Sequence, residues 1–235
     1  MRAAIIAFIA LAGSASVVTA SAAELGVYAG VSYAMVKKDS TRSVFENEAL
    51  AIDALAGFTP DPASRTATFD DEDSSYGFVV GWRMSEHLAL EGGYMDLGEV
   101  KYREHAAGGF QIAPPPAPLE AGTLQQNIDS STSGIQLSAL GILPLTYRWE
   151  LYARGGVLIS NNTESIFVLD DLGTSGKLRA SKSGFDLLAG VGISFSLAEI
   201  YNLRLEYQRV FDAGESATLD EADVDLMTLN VSVSF

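Results

Sequence analysis

The last twelve residues, Val224 to Phe235, alternate without a break. Met227, Leu229, Val231, Val233 and Phe235 share one face, and Leu226, Thr228, Asn230, Ser232 and Ser234 share the other. Period two fixes an extended strand, and an apolar face backed by hydroxyls and amides fits a wall with oil outside and polar contents inside. The edge of a soluble sandwich carries the same pattern, so one such segment decides little. Here it recurs. Strands are expected at Leu25–Val36, Ser74–Met84, His87–Gly98, Ser133–Leu143, Trp149–Ser160, Ser183–Ser196, Tyr201–Asp212 and Val224–Phe235. Each has the reach of a tilted membrane strand. In the second, Tyr76, Phe78, Val80, Trp82 and Met84 oppose Ser75, Gly77, Val79, Gly81 and Arg83. In the fifth, Trp149, Leu151, Ala153, Val157 and Ile159 oppose Glu150, Tyr152, Arg154, Gly156 and Ser160. Trp82, Trp149, Tyr201 and Phe235 fall near strand ends, where amphipathic rings prefer a lipid–water boundary.

The connections alternate in length. Ser85-Glu86, Pro144 to Arg148 and Leu197 to Ile200 are short, whereas Lys37 to Asp73, Glu99 to Thr132, Asn161 to Lys182 and Ala213 to Asp223 are long. Short turns on one rim and long loops on the other describe an outer-membrane barrel. A soluble lipocalin-like barrel has the opposite polarity, apolar inside. The fold class expected is therefore all-β, an eight-stranded antiparallel up-and-down transmembrane barrel.

Its N-terminus reads as an export signal over residues 1–22. Met1-Arg2 is the positive start, Ala3 to Ala12 the apolar core, and Ala20-Ser21-Ala22 the small-x-small cleavage site, leaving 23–235 as the barrel domain. Gly13, Ser14, Ser16 and Thr19 interrupt the run and argue against a retained membrane helix. The formal net charge of −15 becomes −16 once Arg2 leaves with the signal, which excludes binding to nucleic acid by phosphate neutralisation. With no Cys, neither disulfides nor thiolate metal sites are available.

Three loop segments stand out. Ser43 to Gly57 carries Phe45, Ile52 and Leu55 at roughly helical spacing, which suits either a short amphipathic helix or an irregular loop with a hydrophobic pin. Asp70-Asp71-Glu72-Asp73 reads first as a solvated rim; divalent-cation bridging to lipopolysaccharide phosphates is the sharper alternative. Pro114-Pro115-Pro116-Ala117-Pro118 reads as a stiffener.

The inward phase of the strands collects Arg83, Glu91, Gln136, Glu150, Arg154, Asp186, Arg204, Glu206 and Gln208. Charges in a narrow lumen must be paired, since an unpaired buried charge costs several kcal/mol. Arg154 and Arg204 are expected to bridge carboxylates among Glu91, Glu206 and Glu150, because the Arg fork holds two oxygens at once. The only histidines are His87, beside a short turn, and His105, in a long connection followed by Ala-Ala-Gly-Gly. Neither has the Ser partner that a hydrolase needs, so no enzyme, cofactor or metal is expected.

Two segments carry a resemblance. Gly134-Ile135-Gln136-Leu137-Ser138-Ala139, then Pro144, then Leu151-Tyr152-Ala153-Arg154-Gly155-Gly156, resembles the central hairpin of the outer-membrane protein A transmembrane domain. Leu203-Arg204-Leu205-Glu206-Tyr207-Gln208 is similar to that family's seventh strand. The resemblance implies eight antiparallel strands, with Phe235 as the terminal aromatic read by the barrel-assembly machinery. It also implies a lumen network at Glu91, Arg154, Arg204 and Glu206. The family's strand-four lysine falls at Leu140, and its strand-six glutamate near Gly192 to Ser194, so one alternative charge pair is missing. Full-length members add a peptidoglycan-binding domain, whose tethering role is not carried over.

These readings point to an integral outer-membrane protein with a structural and surface-interaction role. A narrow gated channel, and an adhesin or receptor acting through its loops, stand as alternatives. Expected partners are outer-membrane lipids and lipopolysaccharide, the assembly machinery during biogenesis and surface ligands at the loops, with a monomer in the membrane.

Overall fold

The membrane-length strands carry a run of apolar residues on a face that nothing among the described residues covers. The computed structural model describes residues 25–38, 42–114, 117–171, 173, 175–197, 200–213 and 222–235; the expected signal segment lies outside them. The elements in chain order are β1 (Gly26–Lys38), α1 (Arg42–Leu55), β2 (Phe58–Pro60), β3 (Thr66–Asp70), β4 (Glu72–Ser85), β5 (Leu88–Phe110), β6 (Glu120–Pro144), β7 (Trp149–Asp170), β8 (Ser175–Ser196), β9 (Tyr201–Ala213) and β10 (Ala222–Ser234). The path runs β5-β4-β1-β10-β9-β8-β7-β6, and β6 pairs back to β5, so eight antiparallel strands close into a ring. Closure removes every sheet edge within the ring, the condition for a backbone to cross hydrocarbon.

The expected lipid face is where the alternation puts it. Val31, Leu137 and Leu205 point outward and are 52%, 53% and 48% exposed. Aromatic pairs mark the boundaries: Trp149 lies 4.5 Å from Phe195 near the short turns, and Tyr33 lies 5.5 Å from Tyr76 towards the other rim.

Three expectations require correction. Residues 99–132 and 161–182 are not long loops. Instead β5, β6, β7 and β8 run for 23, 25, 22 and 22 residues, at least twice what a tilted crossing needs. β2 and β3 pair onto the far half of β5, so a sheet stands up from one side of the barrel. The expected loop positions carry period two as well, but with polar residues outward, as a sheet beyond the lipid requires.

Residues 42–55 form the helical alternative, but Leu55 is 89% exposed; Phe45, Ala49 and Asp53 are the buried stripe. Phe45 stacks on Tyr102 at 6.1 Å, and Val100 and Ile128 complete the contact. Gly57, at φ +64°, turns the chain away after the helix. A bulge brings Tyr102 under the helix. The β5–β6 register shifts between Asp96 and Glu99, where Gly98 sits at φ +69° and donates its N–H to Asp96 Oδ1 at 3.0 Å. One extra residue reverses the phase of β5, so odd positions face inward below it and even positions above.

The third correction concerns the lumen itself, which is not polar throughout. Val36, Leu97, Leu158, Leu188, Val210, Val224 and Leu226 point inward in its upper half, all at most 3% exposed, and pack into one cluster.

Candidate functional site: a charged lumen beneath an apolar layer

Three strands deliver the charged layer. Glu91 comes from β5, Arg154 from β7, and Arg204 and Glu206 from β9, two residues apart and so on the same inward face. They form a line of ion pairs. Arg204 Nη1 lies 2.5 Å from Glu91 Oε1, Glu91 Oε2 lies 2.6 Å from Arg154 Nη1, and Arg154 Nε lies 2.6 Å from Glu206 Oε1. Arg154 also donates through Nη2 to Glu206 Oε2 at 3.0 Å, closing a fork, and through Nη1 to Ser138 Oγ at 2.8 Å. Two tyrosine hydroxyls donate to the carboxylates: Tyr28 to Glu91 at 2.5 Å and Tyr152 to Glu206 at 2.9 Å. The Arg204 guanidinium lies 5.2 Å from the Tyr28 ring centre and 5.8 Å from that of Tyr152. Two cations and two anions leave the layer neutral, which is how buried charge is tolerated.

Of the residues expected in this network, Glu150 and Gln136 are not in it. Glu150 faces inward nearer the short turns and takes a bidentate pair from Arg83 at 2.9 and 3.1 Å. Arg83 also donates to the backbone oxygens of Ser85 and Glu86, tying that pair to the turn. Gln136 is buried, but it lines a small cavity of about 30 Å³ between the ion pairs and the apolar cluster, with Gln208, Thr228 and Asn230 nearby. Leu140 packs with Ala89 and Tyr152, so the position matched to the family's lysine is apolar and filled.

Above the apolar layer the inner face is polar again. Lys38 Nζ donates to Thr132 Oγ1 at 3.2 Å, and Thr132 Oγ1 donates to Asn162 Oδ1 at 3.0 Å. Beyond lies the interface of α1 with the upright sheet. Gln126 Nε2 donates to Asp53 Oδ1 at 2.5 Å, and Arg65 Nε lies 2.7 Å from Glu104 Oε1 while its Nη2 lies 4.0 Å from Asp53 Oδ2. Burial first, then repulsion from Glu104, pushes the Asp53 carboxyl up to about 6. Sequence reasoning missed Lys38, Tyr28 and this cluster; Tyr28 was available from the inward phase of β1, the rest depends on the long-range fold.

His87 sits at a short turn, and His105 on the outward side of β5 opposite Thr66 and Gln125. Two of the four residues of the acidic run bind backbone: Asp73 accepts from the amides of Ser74 and Glu99, and Asp70 from that of Glu72. Among the described residues no group of three acids or histidines is placed to hold a metal ion.

The family model for the OmpA-like transmembrane domain matches residues 22–235. The chain belongs to this family. An OmpA-like domain of this kind resides in the cell outer membrane, and its family is structural rather than enzymatic. Outer membrane protein A of Serratia marcescens is 25% identical over 162 residues, covering 68% of this chain but 38% of that protein's length. Among solved structures, Neisserial surface protein A is similar at 15% identity and TM-score 0.49, covering 89% of this chain and 97% of its own. The N-terminal barrel of OprF from Pseudomonas aeruginosa is similar at 9% identity and TM-score 0.42, covering 88% and 97%. Ail of Yersinia pestis is similar at 11% identity and TM-score 0.43, covering 89% and 97%.

Proposed function

We propose that this OmpA-like barrel is closed to solutes and serves to hold an upright extracellular sheet on the outer membrane. The observation that carries the reading is the stacking of two different seals. An ion must pass the Glu91–Arg154–Glu206 pairs and then the Leu97, Leu158, Leu188 and Leu226 layer, where nothing replaces its hydration shell. A gate working by exchange of partners needs a spare cation beyond Arg154 and Arg204, and Leu140 does not supply one. Surface contact through the upright sheet is the adhesive part of the role, with the sheet rather than loose loops as the surface offered. Lipids and lipopolysaccharide surround a monomer, and Phe235, at the end of β10, is the residue the assembly machinery reads.

Planar-bilayer recording tests the closed lumen. The purified, folded protein gives no reproducible single-channel steps, and Arg204→Ala stays silent because the apolar layer remains. Reproducible steps from the wild-type protein overturn the proposal.

A further inference from the structure

Among the described residues β8 is paired along its whole length on one edge and along about half of it on the other. Its register with β7 runs unbroken from Trp149↔Phe195 to Leu169↔Ser175. Its register with β9 stops at Leu187↔Phe211, so above Leu187 the β9-side edge has no ladder partner among the described residues. Backbone direction follows from two hydrogen bonds at the base of the strand. Ser196 N–H donates to Arg148 O, on the β7 side, and Leu197 N–H donates to Tyr201 O, on the β9 side. The amide and carbonyl of one strand residue point to the same edge, and the edge alternates along the chain. No register shift interrupts β8, so even residues bond β7 and odd residues face the open side. Lys177, Arg179, Ser181 and Ser183 therefore aim both backbone groups at the β9-side edge, which no described residue pairs.

Sequence sets the sign of that edge. Residues 175–183 hold Lys177, Arg179 and Lys182 and no acid, in a chain with 30 acidic and 15 basic residues. Lys177 and Arg179 are exposed on the outward face. Neither proline nor a bulge blunts the strand; its cations are the guard, and they act against a like-charged neighbour rather than an acidic one. Pairing with a second copy through the same edge brings two like-charged edges together, which is unfavourable. The geometry points to strand addition at this edge: an acidic extended polypeptide from another protein docks along Lys177 to Ser183 as an extra strand of the extracellular sheet. Main-chain hydrogen bonds supply the affinity, and Lys177 and Arg179 select carboxylates on alternate residues of the guest. This goes beyond the closed-barrel reading and holds whether or not the lumen conducts.

The test uses the full folded protein in detergent micelles and a labelled synthetic peptide of about ten residues alternating threonine with glutamate. Fluorescence anisotropy follows binding. Saturable binding is expected, and N-methylation of alternate peptide amides weakens it about tenfold in one phase and little in the other. Ser183→Pro removes an edge-facing N–H without touching the β7 ladder, and weakens binding similarly while gel migration still shows the folded barrel. Arg179→Glu shifts preference to a lysine-containing peptide. The inference is overturned if the wild type does not bind, if both N-methylation phases act alike, or if sedimentation shows the edge occupied by a second copy. The phase comparison needs only wild-type protein, so it stands even where Ser183→Pro fails to fold.

Discussion

Removing Glu91 from the lumen is expected to cost more than removing Arg204, although the two face each other. Glu91 is an inner member of the line of ion pairs, held by Arg204 at 2.5 Å, Arg154 at 2.6 Å and the Tyr28 hydroxyl at 2.5 Å. Glu91→Gln deprives Arg204 of the carboxylate it pairs with, and leaves two guanidiniums sharing Glu206. Deleting one partner of a buried pair costs about 3–5 kcal/mol, and this change belongs at the upper end. Arg204→Met leaves Glu91 with Arg154 and Tyr28, so its cost belongs at or below about 3 kcal/mol. The double change leaves the forked Arg154–Glu206 pair intact and neutral. It should cost no more than Glu91→Gln alone, giving a coupling of about 2–3 kcal/mol. Removing Arg204 with Glu206 likewise spares the Arg154–Glu91 pair and falls short of the sum of its singles. Equilibrium urea unfolding in lipid vesicles, followed by the fluorescence of Trp82 and Trp149, measures all five variants. Additive doubles, or an Arg204→Met loss equal to that of Glu91→Gln, refute the linear order of the pairs.

Three further outcomes are expected. Leu205→Arg places a charge on the lipid face, where Leu205 is 48% exposed; it should cost about 2–4 kcal/mol and slow folding into bilayers, and wild-type folding there contradicts the outward assignment. Gly98→Val puts a branched side chain at φ +69° with its Cβ 2.9 Å from that of Asp73. It should cost about 1–3 kcal/mol and expose the upright sheet to protease while the barrel persists; unchanged cleavage argues against the bulge. Asp53, raised to about 6 in the folded state, binds more protons folded than unfolded between about pH 4 and 6. Docking of α1 should therefore tighten as pH falls through 6 and be weaker at pH 7 by about 1–2 kcal/mol. Asp53→Asn should remove that dependence, and pH-independent hydrogen exchange in the wild-type helix speaks against it.

The barrel was legible in the sequence because lipid demands an apolar outward face on every crossing strand. That demand ends at the membrane boundary. Above it Lys101, Ser131, Thr163 and Ser181 take the outward positions, and period two survives without its hydrophobic marker, so strand continuation reads as loop. The apolar layer escaped for a related reason. Leu158 lies between Gly156 and Ser160, and Leu188 between Asp186 and Gly190, on the inward phase, so each looks like one departure from a polar face. Only closure stacks them at one level. The charged residues were legible as a set because few groups on the inward phase ionise. Partner choice was not, since Glu91 and Arg204 stand on opposite walls and Glu150 sits lower, beside Arg83.

The unbroken register of β6, β7 and β8 has a mechanical consequence. From Pro144↔Glu150 to Leu124↔Asp170 no hinge separates the upright sheet from the barrel wall. A load pulling on the apex is therefore transmitted lengthwise into the anchored strands, where many backbone bonds resist shear together. A tether of flexible loops would stretch and recoil first; this one is a stiff mast whose footing is the lipid-embedded ring itself.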